Sequence, residues 1–283
     1  EEKTYLFIDE YNELKEKWTG KKLTNEEASS ISGIVNINSN KTLDTFLSLI
    51  LAKENNEYGV INNIYLDLAP EIKIEERTST KDLADAIKKK YLEIEILDIK
   101  PILTRLRMIK SKEEIENIKE AIRLTGNGIN YLLLNMKPGQ YEYHLADVFE
   151  FYGREHDRHG LSFPTIVGSG VNATILHYPQ QTCRIEDNTL VLFDLGFEHN
   201  LYCADISRTF PISGEFSLKQ RKIYSAVLEC NKALIEYAKP GLKISDLQSY
   251  AVEFLKNECL RLGLINDPND ILKHYYHNCS HHL

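Results

Sequence analysis

No apolar run in this sequence approaches the ~18 residues that a membrane-spanning helix needs, which disfavours an integral membrane protein. Positive charge is the minority sign: 34 Lys and Arg against 42 Asp and Glu leave a net charge of −8. The basic residues are scattered rather than gathered into a stripe, and that disfavours nucleic-acid binding. Cysteine is sparse and odd in number, five in all (Cys183, Cys203, Cys230, Cys259, Cys279), with no paired CxxC spacing. Such usage suits a reducing cytoplasm better than a disulfide framework. No signal-peptide pattern is visible after Glu1. Tryptophan occurs once, as Trp18, read as a packing residue. What is present is ordinary for a soluble globular chain: 42% apolar and 27% charged residues in 283, a length that suits two domains.

The richest stretch runs from Thr189 to Ile212, TLVLFDLGFEHNLYCADISRTFPI. Two apolar runs, Leu190–Phe193 and Leu201–Ile206, flank a polar turn containing Glu198, His199 and Asn200, a β-hairpin signature. Each run carries one aspartate, Asp194 and Asp205, toward what would otherwise be a buried strand. An ionised buried carboxylate requires donors, a cation or a metal. Two on paired strands can converge on one point, where a divalent cation is the natural occupant. Taken singly, each Asp also fits a turn cap or a partner for Arg208. In LVLFDL, period-2 alternation puts Leu190, Leu192 and Asp194 on one face and Val191, Phe193 and Leu195 on the other. Cys203 is read as a small buried apolar side chain sharing the face of Asp205.

Upstream, Thr4–Asp9 and Val60–Leu68 read as strands, and Thr42–Lys53 and Thr80–Lys90 as amphipathic helices, an α/β pattern. A boundary falls near Lys100–Ser111, where Pro101 interrupts and Arg105-Leu-Arg-Met-Ile-Lys makes a basic link. Ser111 with Glu114 forms a capping-box pattern, and Ile115, Ile118, Ile122 and Ile129 mark a buried stripe at helical spacing. Lys137-Pro138-Gly139 ends that helix, and a second follows with Leu145, Val148, Phe149 and Tyr152 on one face. The plan recurs: Ser217 opens a helix with Ile223, Val227, Cys230 and Leu234 inward, Lys239-Pro240-Gly241 closes it, and Ser245 caps the next. Near the end stands His274-Tyr-Tyr-His277-Asn-Cys-Ser-His281-His282-Leu283, whose interleaved aromatic, Asn, Cys and Ser residues argue against an expression tag.

Asp194-Leu-Gly followed by Asp205-Ile-Ser-Arg-Thr-Phe-Pro resembles the metal-binding hairpin of the pita-bread metallopeptidases. With SFPTIVGSGVNATILHYP ahead of it, the stretch looks most like aminopeptidase P. Trp18-Thr-Gly-Lys-Lys-Leu with Glu26-Glu-Ala downstream looks, more loosely, like the N-terminal domain of that family. The resemblance implies an α+β pita-bread domain over residues 107–283, preceded by a partial α/β domain over 1–106. It further implies a chain truncated at both ends, with two glutamate ligands and a general base falling beyond Leu283. By carry-over, Asp194, Asp205 and His281 are metal ligands, with His282 beside the last. His177 stabilises the reacting centre, and His277 stands close to metal or substrate. The implied cofactor is a pair of divalent ions. An oxygen-rich donor set with one imidazole suits Mn²⁺, with Zn²⁺, Co²⁺ and Fe²⁺ also able to bind. The implied activity is hydrolysis of an N-terminal Xaa-Pro bond in a cytoplasmic enzyme acting on peptides with proline second, with room for a homo-oligomer. Prolidase and a non-catalytic peptide- or protein-binding module are the alternatives.

Overall fold

A computed structural model describes residues 3–10, 13–52, 58–68, 79–156 and 160–281. Lys53 and His282, both named above, lie outside these. The chain divides into two compact units, Glu1–Arg107 and Met108–Leu283.

In the first unit, strands alternate with helices: β1 (Tyr5–Ile8), α1 (Glu13–Thr19), α2 (Asn25–Ser32), β2 (Asn36–Ser39), α3 (Leu43–Ile50), β3 (Asn63–Leu66), α4 (Ser79–Lys90) and β4 (Glu95–Asp98). β1 pairs with β2 and β3 with β4, both in parallel, and parallel pairing requires the long crossovers that these helices supply. The short strand β2 is too polar to stand out in the sequence, whereas β4, half apolar, is a strand that the sequence reading passed over. Trp18 does not pack against the described residues: it is 89% exposed. Helix α5 (Lys100–Met108) follows, so the basic link is helical. Pro101 does not interrupt the chain there. It sits in the first turn of α5, where its missing N–H has no intrahelical partner to lose.

The second unit opens with α6 (Lys112–Asn135), whose start is the expected capping box. Glu114 N donates to Ser111 Oγ at 3.2 Å, and Ser111 N donates to Glu114 Oε2 at 2.6 Å. The buried stripe differs from the isoleucine reading. Ile115 and Ile122 face solvent, while Ala121, Leu124, Thr125, Gly128, Ile129 and Leu132 face the core. Small residues are there because α7 (Glu142–His156) and the hairpin ring of Phe197 come close. A Cβ on Gly128 of α6 would lie 2.8 Å from the Phe149 ring and 2.9 Å from the Phe197 ring. Phe197 stacks on Phe149 of α7 with centroids 4.2 Å apart and planes within 9°. Leu145 and Phe149 are fully buried as the helical spacing predicts.

Against these helices lies an antiparallel sheet of β5 (Ile166–Ser169), β6 (Leu190–Leu195) and β9 (Ile206–Pro211), with β6 central. Val191, Phe193 and Leu195 are buried and join Val167, Leu132 and Leu145 in the core, whereas Leu190, Leu192 and Asp194 are half-buried. A two-stranded ribbon, β7 (Glu198–His199) and β8 (Tyr202–Cys203), extends the hairpin beyond the sheet. Helices α8 (Leu218–Tyr237), α9 (Ile244–Arg261) and α10 (Ile271–His274) complete the unit, and the helix–Pro-Gly–helix plan of α6–α7 recurs as α8–α9. In α8 the inward positions are Ala226 and Cys230; Val227 points outward. Ser245 does not cap α9. Lys243 does, its N–H donating to Asp246 Oδ2 at 2.9 Å.

Candidate metal centre

The hairpin that carries both aspartates keeps one register throughout. Leu195 pairs with Ile206 on the sheet side and Glu198 with Cys203 on the ribbon side. Asp205 therefore falls opposite Gly196 and diagonally across from Asp194, on the same face. Between the two ladders the chains come so close that only glycine fits. A Cβ on Gly196 would stand 1.8 Å from the Ala204 carbonyl oxygen. Ala204 N donates to Phe197 O at 3.1 Å. Phe197 N, which has no ladder partner, donates to the buried Thr125 Oγ1 at 2.9 Å. The hairpin reading thus holds in register, with three corrections. Asp205 lies outside the strands, in the break before β9, and is exposed. Leu201 does not begin a strand: it shares the turn with Asn200, both at positive φ (69° and 49°), as a two-residue hairpin turn demands. Cys203 is exposed and belongs to β8, so it is neither a buried apolar side chain nor on a common strand with Asp205.

Asp194 is half-buried at the end of β6 and accepts a hydrogen bond from Ser207 Oγ, its cross-strand neighbour, at 2.8 Å. Burial pushes its carboxyl above the usual carboxylate range, and the charge of Asp205 adds to this, while Ser207 and His177 act in the opposite sense. Asp205 meets His281 from the far end of the chain, with Oδ2 and Nε2 3.1 Å apart. The segment bearing His281 is docked by Gln248 of α9, which donates to the His277 carbonyl at 3.2 Å and accepts from Cys279 N at 2.7 Å. Tyr276 adds a hydroxyl bond to the Thr174 carbonyl at 3.3 Å.

His177 lies in the turn after the short 3-10 segment Gly170–Thr174. With Asp194 and Asp205 it lines a pocket of about 440 Å³ walled by Phe163, Tyr178 and Pro179. His277 is on the His281 segment but not among the residues lining that pocket; its Nδ1 lies 2.7 Å from the Asn278 carbonyl oxygen. Four of the five residues singled out from sequence are therefore drawn to one place, and His277 is on the segment that carries one of them, His281. Among the described residues no three His, Cys, Asp or Glu side chains form a closed ligand cluster. The donor chemistry nonetheless fits a cation. Two carboxylates share a face, one is pushed up by burial and by the other's charge, and an imidazole nitrogen closes on the second. Such a donor set is of the type that suits a divalent ion.

The sequence reading passed over Gln248 and Glu142, each a polar helix residue indistinguishable in a lone sequence from a solvated one. Two of the groups that bind Glu142, the Ser169 and Cys183 N–H, are backbone and give no side-chain signal.

Residues 116–283 match metallopeptidase family M24, and residues 1–58 match the aminopeptidase P N-terminal domain. The Xaa-Pro aminopeptidase of Haemophilus influenzae is 31% identical over 294 residues, spanning 100% of this chain and 64% of the relative. That of Escherichia coli is 34% identical over 198 residues, 66% of this chain and 44% of the relative. A structure from Bacillus anthracis assigned as an aminopeptidase P superposes with a TM-score of 0.91 at 38% identity, over 99% of this chain and 65% of that one. The chain thus spans about half to two-thirds of the length of the relatives it matches. A family match over more than half the chain, a shared fold and an aspartate hairpin met by a distant histidine lead to one assignment: the chain belongs to metallopeptidase family M24, with the pita-bread fold of aminopeptidase P.

Proposed function

We propose that this chain carries part or all of a metal-dependent aminopeptidase that hydrolyses the N-terminal Xaa-Pro bond of peptides. The convergence of Asp194, Asp205 and His281 on one face beside His177 carries this reading, together with relatives named Xaa-Pro aminopeptidase. Residues 1–106 then correspond to the N-terminal domain and 107–283 to the catalytic one.

Asp194, Asp205 and His281 would hold the metal, for which the oxygen-rich set favours Mn²⁺. Metal bound there supplies a lowered water pKa and a polarised scissile carbonyl. The chain's own residues do the rest. Ser207 orients the Asp194 carboxylate through its hydroxyl. The pocket's walls of Phe163, Tyr178 and Pro179 give an apolar surface for the substrate. His177, at the same pocket, donates to the oxygen or nitrogen on which charge develops. His277, carried on the His281 segment, is the second histidine assigned to the reacting centre. The bond to proline is a tertiary amide with no N–H, so recognition rests on shape and on the carbonyl rather than on a donor. Five free thiols support a cytoplasmic setting.

The test is selectivity. The full natural chain with Mn²⁺ should cleave Xaa-Pro-Xaa peptides and leave the Xaa-Ala-Xaa counterparts largely intact. Equal rates on both would overturn the assignment, and cleavage of Xaa-Pro dipeptides alone would redirect it to prolidase.

A further inference from the structure

We propose that Glu142 is a positioning residue for His177: one buried carboxylate cinches both ends and the middle of the loop that presents His177 to the pocket. The proposal rests on the reading of His177 as a residue of the reacting centre.

Glu142 is the first residue of α7 and is completely buried, at 0% exposure. A carboxylate in that position is costly unless its lone pairs are taken up. Four neutral donors take them. Ser169 N and Ser169 Oγ, each at 2.7 Å, and Asn172 Nδ2 at 3.0 Å bind Oε1, while Cys183 N at 3.1 Å binds Oε2. Burial alone pushes this carboxyl up, but the donors outweigh it and hold it below the usual range, so it stays ionised.

The donors come from both ends of one excursion. Ser169 ends β5, Asn172 lies in the 3-10 turn, and Cys183 is where the chain returns to α7. Between them the excursion carries His177, Tyr178, Pro179 and Gln181 into the pocket wall. The start of α7 fastens the return leg again, with Glu142 N donating to the Cys183 carbonyl and Tyr143 N to the Gln181 carbonyl, each at 3.0 Å. Tyr178, adjacent to His177, is 5% exposed, and its hydroxyl accepts from Asn172 Nδ2 at 3.1 Å. Burial, then the Glu142 carboxylate, pushes that phenol up to about 12, so it remains a neutral hydrogen-bonding group. His177 itself is exposed. Its placement is therefore set by the backbone that Glu142 holds and not by packing on its ring. Ordering such a loop in advance removes an entropy cost from the reaction.

The experiment is a double-mutant cycle in the full natural chain, reading kcat and KM on an Xaa-Pro-Xaa peptide for wild type, Glu142→Gln, His177→Ala and the pair. His177→Ala should lower kcat on the order of 10²-fold or more. Glu142→Gln should lower kcat roughly tenfold or more with little change in KM, since small misplacements of a reacting group are that costly. In the His177→Ala background, Glu142→Gln should cost less than about twofold, the signature of residues acting as a unit. The His177 ring resonance in proton NMR should shift or broaden in Glu142→Gln while those of His144 and His156 stay in place. The same kcat loss in both backgrounds, or an unmoved His177 resonance, overturns the proposal while leaving the His177 reading intact. A normal kcat in His177→Ala sinks that reading, and the proposal with it. Should Glu142→Gln fail to fold, Asn172→Ala removes one donor and is held to the same criteria.

Discussion

His281 Nε2 and Asp205 Oδ2 stand 3.1 Å apart across 76 positions of sequence. Both side chains are substantially exposed, at 68% and 40%, and an exposed pair of this kind contributes little to stability. Yet the segment that delivers His281 is anchored with care, through both amide atoms of Gln248 and the hydroxyl of Tyr276. That investment in geometry is consistent with donor placement rather than with holding the fold together.

Asp205→Asn and His281→Ala should therefore weaken Mn²⁺ binding by roughly tenfold or more, about 1.4 kcal/mol each, with little change in thermal stability of the metal-free protein. Isothermal titration and thermal melts measure the two quantities separately. A large fall in melting temperature with unchanged Mn²⁺ affinity would make the contact structural.

Gly196→Ala should be among the most damaging single-methyl additions in the hairpin. The added Cβ meets a carbonyl oxygen at 1.8 Å, and backbone cannot rotate away as a side chain can. Overpacking of this kind costs about 1–3 kcal/mol or more. The strain would push Ala204 outward and carry Asp205 with it. The variant should lose both melting temperature and metal affinity, in contrast to Asp205→Asn, which should lose only the second.

Much of this arrangement could be read from the sequence because its signals are local and periodic. LVLFDL alternates at period 2, and the buried set Val191, Phe193 and Leu195 follows directly. The Ser111–Glu114 capping box is a four-residue pattern with one structural meaning. The misreadings share a different cause. Ile115 and Ile122 keep helical spacing, but the turns that carry them face solvent, while the buried stripe uses Ala121, Thr125 and Gly128 because the neighbouring chains approach too closely for large side chains. Leu201 is apolar yet sits at a positive-φ turn position and is 86% exposed. The second is set by the two-residue turn between His199 and Tyr202 rather than by side-chain apolarity. Helical spacing cannot reveal the first, which is decided by partners distant in sequence.

Thr125 is such a partner. Its hydroxyl accepts from Phe197 N at 2.9 Å and donates to the Ala121 carbonyl at 2.8 Å, fully buried. Thr125→Val keeps the volume but strands the Phe197 N–H, a loss of about 1–3 kcal/mol. Urea unfolding should show that loss, and kcat of the folded fraction should stay near wild type, because Thr125 touches the hairpin and not the pocket.

Glu142 makes a prediction in pH. Its folded-state value lies below the ordinary 4.5 because the donors on its oxygens outweigh the burial that pushes it up. A depressed carboxyl contributes stability that is fully present above the unfolded-state value and is lost as pH falls through the folded-state one. Glu142→Gln has no charge to titrate, and its amide group turns a donor toward Ser169, Asn172 or Cys183 N–H. At pH 7 the substitution should cost about 1–3 kcal/mol. As pH falls below 4.5 the unfolded chain's Glu142 takes up its proton before the folded one does, and the stability gap between the two proteins should narrow. Urea titrations at about pH 7 and about pH 3.5 measure the gap in each regime. A gap that is the same at both, or that widens in acid, would mean that the carboxylate charge does not hold the His177 loop.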